Sequence, residues 1–128
     1  MSYSINRLIT DSDFEQVDQR TRKALTDHGF GVLTEIDVKA TIKNKLDRDM
    51  APYRILGACN PKMAWDAIQA EPGVGVMLPC NVILRETSEG IEVSAVDPVA
   101  SMAAIENDDL TEITRQVREA LKQAVAAI

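Results

Sequence analysis

Two cysteines stand in settings that rhyme: Ala58-Cys59-Asn60-Pro61 and Pro79-Cys80-Asn81. A thiolate is a nucleophile and a soft metal ligand, and its reactivity follows its pKa. Asn60-Pro61 is a strong helix start, with Asn as the cap and Pro in the first turn. Cys59 therefore lies just before a helix N-terminus, where unpaired amides and the helix dipole favour a thiolate. Cys80 falls in an apolar run, on the face of Val76, Leu78, Val82 and Leu84. It reads as a structural thiol unless the two cysteine-bearing strands meet. Both cysteines also suit plain core positions, because free Cys is among the most buried residue types. No C-x-x-C is present, and two thiols with one histidine fall short of a usual zinc site. Cys59 and Cys80 are nonetheless candidate metal ligands, and they suit a soft metal.

Glu35 and Asp37 are the second pair. In a strand they point to one side, together with Leu33. Two acids on one side suit a metal or acid/base work. The simpler reading makes Asp37 a helix cap and Glu35 an exposed or hydrogen-bonded carboxylate. His28, the one histidine, continues the face of Phe14, Val17, Thr21 and Leu25 and reads as a C-terminal capping group. Met50, Met63, Met77 and Met102 read as packing. P-loop, dinucleotide-binding and nucleophile-elbow motifs are missing.

The elements that must position these residues follow from periodicity and punctuation. Residues 3–8 alternate as a first strand. Ser12 and Glu15 match a capping box, and apolar spacing then carries a helix over 12–28, ended by Gly29. Residues 30–36 form a second strand. Asp37 caps a short helix with Val38, Ile42 and Leu46 on one face. Residues 53–59 are a third strand. The helix after Asn60 has Ala64, Trp65 and Ile68 as its apolar face. Residues 74–84, apolar on both faces, predict a buried strand, and 91–95 a fifth after a turn at 86–90. Leu110, Ile113, Val117, Leu121, Ala124 and Ile128 advance by three or four, marking a long last helix begun by Asp108 or Asp109. An α+β domain follows, its sheet mostly antiparallel and its long helices on one face.

Composition sets the outer bounds. A chain of 128 residues, 45% hydrophobic and 27% charged, suits one globular domain over 1–128. Its net charge is −6, and the acidity is uneven: residues 1–64 carry +1 and residues 65–128 carry −7. Nucleic-acid binders need a basic surface, and aromatic residues at 4% offer few stacking platforms, so nucleic acid is not an expected partner. The longest apolar stretch is far short of the roughly 20 residues of a membrane span. No export signal is visible at the N-terminus, so a cytoplasmic location with reduced thiols is expected.

Three motifs in order, residues 29–38 (GFGVLTEIDV), 53–61 (YRILGACNP) and 78–82 (LPCNV), resemble the family called domain of unknown function 302. Both Cys-Asn pairs match the family pattern, and so do Glu35 and Asp37. The resemblance covers nearly the whole chain. It implies a β-α-β4-α fold near the TATA-binding-protein-like folds, with a curved antiparallel sheet of about five strands on a long C-terminal helix. The short helices are then insertions. It also implies a homodimer, for which the last helix and the short second helix are the candidate surfaces. It supplies no reaction and no cofactor, so whether the protein is an enzyme stays open.

The leading expectation is a binding module for a small ligand, a soft metal or a sulfur compound. Its site would comprise Glu35, Asp37, Cys59, Asn60, Cys80 and Asn81 at the mouth of a cleft. Thiol redox or sulfur transfer through Cys59 and Cys80 is the first alternative. A structural homodimer without a ligand is the second.

Overall fold

The computed structural model describes residues 2–128. Five strands form one antiparallel sheet: β1 (Ser4–Ile9), β2 (Gly31–Asp37), β3 (Tyr53–Cys59), β4 (Cys80–Thr87) and β5 (Gly90–Val96). Their spatial order is β1-β5-β4-β3-β2. Strands β2 to β5 run as a meander, and β1 pairs with β5 at the far edge. The helices are α1 (Phe14–Asp27), α2 (Val38–Leu46), α3 (Pro61–Ala70), a four-residue α4 (Pro98–Ser101) and α5 (Asp108–Ala126). The expected α+β fold, with its roughly five-stranded antiparallel sheet and long C-terminal helix, is the observed one.

Alternation puts Ile9, Leu56, Ala58, Cys80, Val82, Leu84, Ile91, Val93 and Ala95 on one sheet face. Helices α1 and α5 cover that face with Val17, Ala24, Leu25, Leu121, Ala124 and Val125. A second cluster of Ala67, Val74, Met102 and Leu110 lies between α3, the segment after it and the first turn of α5. Because its apolar face is buried on the sheet, α5 offers no free apolar stripe to a second chain. The opposite sheet face, away from α1 and α5, is only partly buried. A cross-strand row of Ile36, Ile55 and Ile83 runs over it, continued by Ser94 and Asn6.

Several local expectations are corrected. The cap of α1 is Asp13, not Ser12. Asp13 Oδ1 accepts from the Gln16 amide (2.8 Å), and the Asp13 amide donates to Gln16 Oε1 (2.9 Å). The box is thus real but one residue later, and Ser12 Oγ instead accepts from Arg20. The run over 74–84 is not one strand. Pro72–Met77 winds as a 3-10 helix, which buries Val74 and leaves Val76 87% exposed. Proline and two glycines in PGVGVM weaken any strand there, and pairing starts only at Cys80. The apolar face of α3 is Met63, Ala64, Ala67 and Ile68, while Trp65 is 65% exposed. Asp97-Pro98 follows the end of β5 and starts α4, with Asp97 Oδ1 accepting from the Val99 amide (2.9 Å). Helix α5 begins at Asp108 as expected, with Asn107 as its cap. His28 occupies the C-cap of α1, and its Nδ1 donates to the Ala24 carbonyl (2.7 Å).

Candidate functional site

A cavity of about 390 Å³ opens where β3 stops and β4 starts, between that end of the sheet, α3 and α5. The sheet supplies Leu33 and Thr34 from β2, Ala58 and Cys59 from β3, and Cys80 with Pro79 just before it. Asn60 Oδ1 accepts from the Met63 amide (3.1 Å), and Pro61 fits the first turn, so α3 begins at the cavity edge. Helical spacing then turns Met63, Ala64, Ala67 and Ile68 inward. Ile113, Thr114 and Val117 of α5 close the far wall beside Met102. No Asp, Glu, Lys, Arg or His lines the cavity. Its polar groups are Thr34, Asn60, Thr114 and the two thiols. Thr114 is engaged locally, donating to the Thr111 carbonyl (2.8 Å).

Two glycines let this corner close. A Cβ on Gly57 would lie 2.1 Å from Thr34 Oγ1 and 2.8 Å from Pro79 Cγ. The bare backbone therefore makes room for both side chains. Gly29 has φ +87°, and a Cβ there would come within 2.9 Å of Asn60 Nδ2. The turn after α1 and the cap of α3 thus meet at Gly29.

Both thiols are free, Cys59 half-buried and Cys80 buried. Ala58 faces Cys80 across the ladder, so Cys59 and Cys80 sit on neighbouring strands one residue out of register. Burial pushes the Cys80 thiol up to about 11, with Cys59 adding to the shift. Cys80 is consequently a protonated thiol at neutral pH.

Residues 6–128 match the model of the family described as Domain of unknown function DUF302. The chain belongs to the DUF302 family. It is similar to a crystal structure described as an uncharacterized conserved protein DUF302 from Bacillus stearothermophilus. The two share 20% identity with a TM-score of 0.92, over 99% of this chain and 98% of that one. That likeness speaks to the fold alone. No curated protein matches.

In this DUF302 chain the six motif residues do not share one site. Cys59, Asn60 and Cys80 line the cavity; Glu35, Asp37 and Asn81 do not. A bulge between Val32 and Thr34 leaves Leu33 as the extra residue and breaks its alternation with Glu35. Glu35 then meets Arg22 (2.8 Å) and Arg54 (3.4 Å) beside α1. Asp37 caps α2, accepting from the Ala40 amide (2.9 Å). Asn81 follows Cys80 in the strand and so faces the opposite side, in a groove with Tyr53, Arg85 and Glu92.

The Glu35 carboxylate belongs to an ion-pair network. Arg54 reaches Asp18 (2.9 Å) and Glu15 (2.9 Å), and its guanidinium stacks over Phe14 at 5.0 Å. Arg22 holds the other Asp18 oxygen at 2.7 Å. Burial pushes the Asp18 carboxyl up, but the hydrogen bonds and charges of Arg22 and Arg54 outweigh it. Its pKa therefore lies below the ordinary carboxylate value. The Arg54 guanidinium is correspondingly held charged, first by Glu15 and then by Asp18. This network ties α1 to β2 and β3. Among the described residues no group of three or more His, Cys, Asp or Glu is placed to hold a metal ion. Nor is any helix there long and apolar enough to cross a membrane.

Sequence reasoning missed Met63, Met102, Thr34 and Thr114 as cavity residues. Met63 carried a usable signal: it stands three residues after the Asn60 cap and four before Ala67, on one helix face. Met102 and Thr114 carried none, since only the docking of α5 brings them to the cavity.

Proposed function

We propose that the protein is a binding module for a small uncharged ligand, taken up in the cavity beside Cys59, Asn60 and Cys80. One observation carries this reading: a cavity of about 390 Å³ whose lining contains no charged side chain and few polar groups. Small-molecule sites are commonly apolar clefts of roughly 300–1,000 Å³ with a few placed polar groups. A dry apolar cavity of roughly 150 Å³ accepts benzene, so this one suits a ligand of about two fused rings or their aliphatic equivalent. Without a cationic side chain at the wall, a carboxylate or phosphate would enter unpaired, at a cost of several kcal/mol.

The test is uptake of the neutral dye N-phenyl-1-naphthylamine, followed by its fluorescence. Saturable binding to the native chain is expected, with at least a tenfold loss in Ala67→Phe, which fills the cavity. Ala64→Leu, a milder filling at the same wall, is expected to lose part of the binding. Full uptake by both folded variants would overturn the reading.

The thiol-redox reading stands second, supported by the position of both cysteines on one cavity. In that reading Cys59 attacks and Cys80, whose thiol burial pushes up to about 11, resolves. The homodimer implied by family resemblance finds its support in the sheet face away from α1 and α5. There the row of Ile36, Ile55 and Ile83 is the main apolar feature.

A further inference from the structure

Asn60 joins β3 to α3 and lines the cavity. Its carboxamide has two ends, and the helix cap uses one of them. Oδ1 accepts from the Met63 amide (3.1 Å), which decides the end that faces the helix. Nδ2 is thereby turned away from the helix amides, and among the described residues it donates to no protein acceptor. The backbone beside it is kept bare, since a Cβ on Gly29 would come within 2.9 Å of Nδ2. Capping alone does not ask for this residue. Asp and Ser cap a helix about as well as Asn, and Asp would add a favourable charge at the helix N-terminus. What Asn adds is a neutral donor at the cavity wall.

The other polar side chains of the wall are less selective. Thr114 gives its proton to the Thr111 carbonyl (2.8 Å). The Thr34 hydroxyl can donate or accept, and thiols are weak at both. Asn60 Nδ2 can only donate, from a position the cap already holds. Its complement is an oxygen that only accepts, as a carbonyl does. The rest of the wall asks for an apolar body. Leu33 and Ile68 line the cavity and are 68% and 41% exposed, so the apolar wall continues to solvent and gives such a body a way in.

We propose that Asn60 is the specificity-determining residue of the cavity, and that the occupant is a neutral apolar ketone or ester whose carbonyl oxygen accepts from Asn60 Nδ2. A carbonyl gives up hydrogen bonds to water on entry, and Nδ2 returns one. The attached ring or chain fills the apolar remainder. The proposal rests on the cavity being the binding site and narrows what that site takes.

The experiment is displacement of N-phenyl-1-naphthylamine by three compounds of one shape: 2-acetylnaphthalene, the alcohol made by reducing it, and the hydrocarbon 2-isopropenylnaphthalene. The native chain is compared with Asn60→Asp, which keeps the capping oxygen and replaces the donor by an acceptor. Circular dichroism of the variant should be unchanged. Its affinity for the ketone should fall at least tenfold, while the hydrocarbon changes less than twofold. The alcohol, which can donate to the new carboxylate, should keep its affinity. Native-strength ketone binding by Asn60→Asp would overturn the proposal. An equal loss of all three compounds would also overturn it, because Asn60 would then act on the shape of the cavity alone. Both results leave dye uptake by the native chain, and with it the cavity reading, in place. Failure of the native chain to take up the dye or any of the three compounds would remove the cavity reading and this proposal together.

Discussion

At the scale of single residues, Gly57 and Cys80 are the most informative. The Cβ of Gly57→Ala would meet Thr34 Oγ1 at 2.1 Å and Pro79 Cγ at 2.8 Å. Overpacking of this kind typically costs about 1–3 kcal/mol. Urea unfolding of Gly57→Ala is expected to show that loss, with part recovered when Thr34→Ala is added. No recovery would place the strain elsewhere. Cys80 makes a pH prediction of definite sign. Its thiol is raised from an ordinary value of 9.0 to about 11, so the folded state holds the proton more tightly than the unfolded chain. The stability this represents is complete below pH 9 and falls away as pH rises from 9 towards 11. The loss is on the order of 3 kcal/mol. Unfolding at pH 8 and pH 11 should show it in the native chain, and Cys80→Ala should flatten the alkaline limb. An equal alkaline loss in the variant would remove Cys80 as its cause.

At the scale of elements, α1 is joined to the sheet by charge as well as by apolar contact. Asp18 is buried, and Arg22 and Arg54 hold its pKa below the ordinary carboxylate value. A depressed carboxyl contributes stability that is present above the unfolded pKa near 4. That contribution is lost as pH falls through the folded value. Arg54→Ala removes one cation from Asp18, leaves Glu15 without its partner and uncovers Phe14. A loss of roughly 1–3 kcal/mol at neutral pH is expected, since Arg22 still pairs with Asp18. The acid limb should become shallower, measured by denaturant unfolding from pH 3 to 7. An unchanged acid limb would show that Asp18 does not titrate with folding. At the other edge, Arg7 donates to the carbonyls of Val125, Ala126 and Ile128 at the end of α5. It meets the orphan acceptors there and fastens α5 to β1.

At the scale of the whole molecule, one sheet face is covered by α1 and α5 and the other is only partly buried. That second face carries Ile36, Ile55 and Ile83 in one cross-strand row. A homodimer through this face is expected to appear by light scattering at micromolar concentration. Ile83→Glu should convert it to monomer without touching the cavity, which Ile83 does not line. Ile83→Glu that remains dimeric would move the interface to another surface. The cavity and this face are thus separable by mutation.

Much of this architecture was legible in the chain itself. Alternation marked β1 and β5, β-branched and apolar composition marked β2, and three-four spacing marked α5, because those patterns are imposed locally by strand and helix geometry. Asn60-Pro61 marked α3 because a cap and a first-turn proline act within a few residues. Asp37 was readable as a cap for the same reason. The run over 74–84 misled because hydrophobicity reports burial and not the winding of the backbone. Proline and glycine decided that winding, so the strand began only at Cys80. The membership of the cavity was out of reach of any local signal. A bulge of one residue turned Glu35 away, strand alternation sent Asn81 to the other face, and the docking of α5 brought Thr114 to the cavity. Sequence determines which residues are helical, extended or capping, since those preferences act over a few bonds. Only the tertiary structure decides which side chains share a cavity, because that depends on register, bulges and packing between segments distant along the chain.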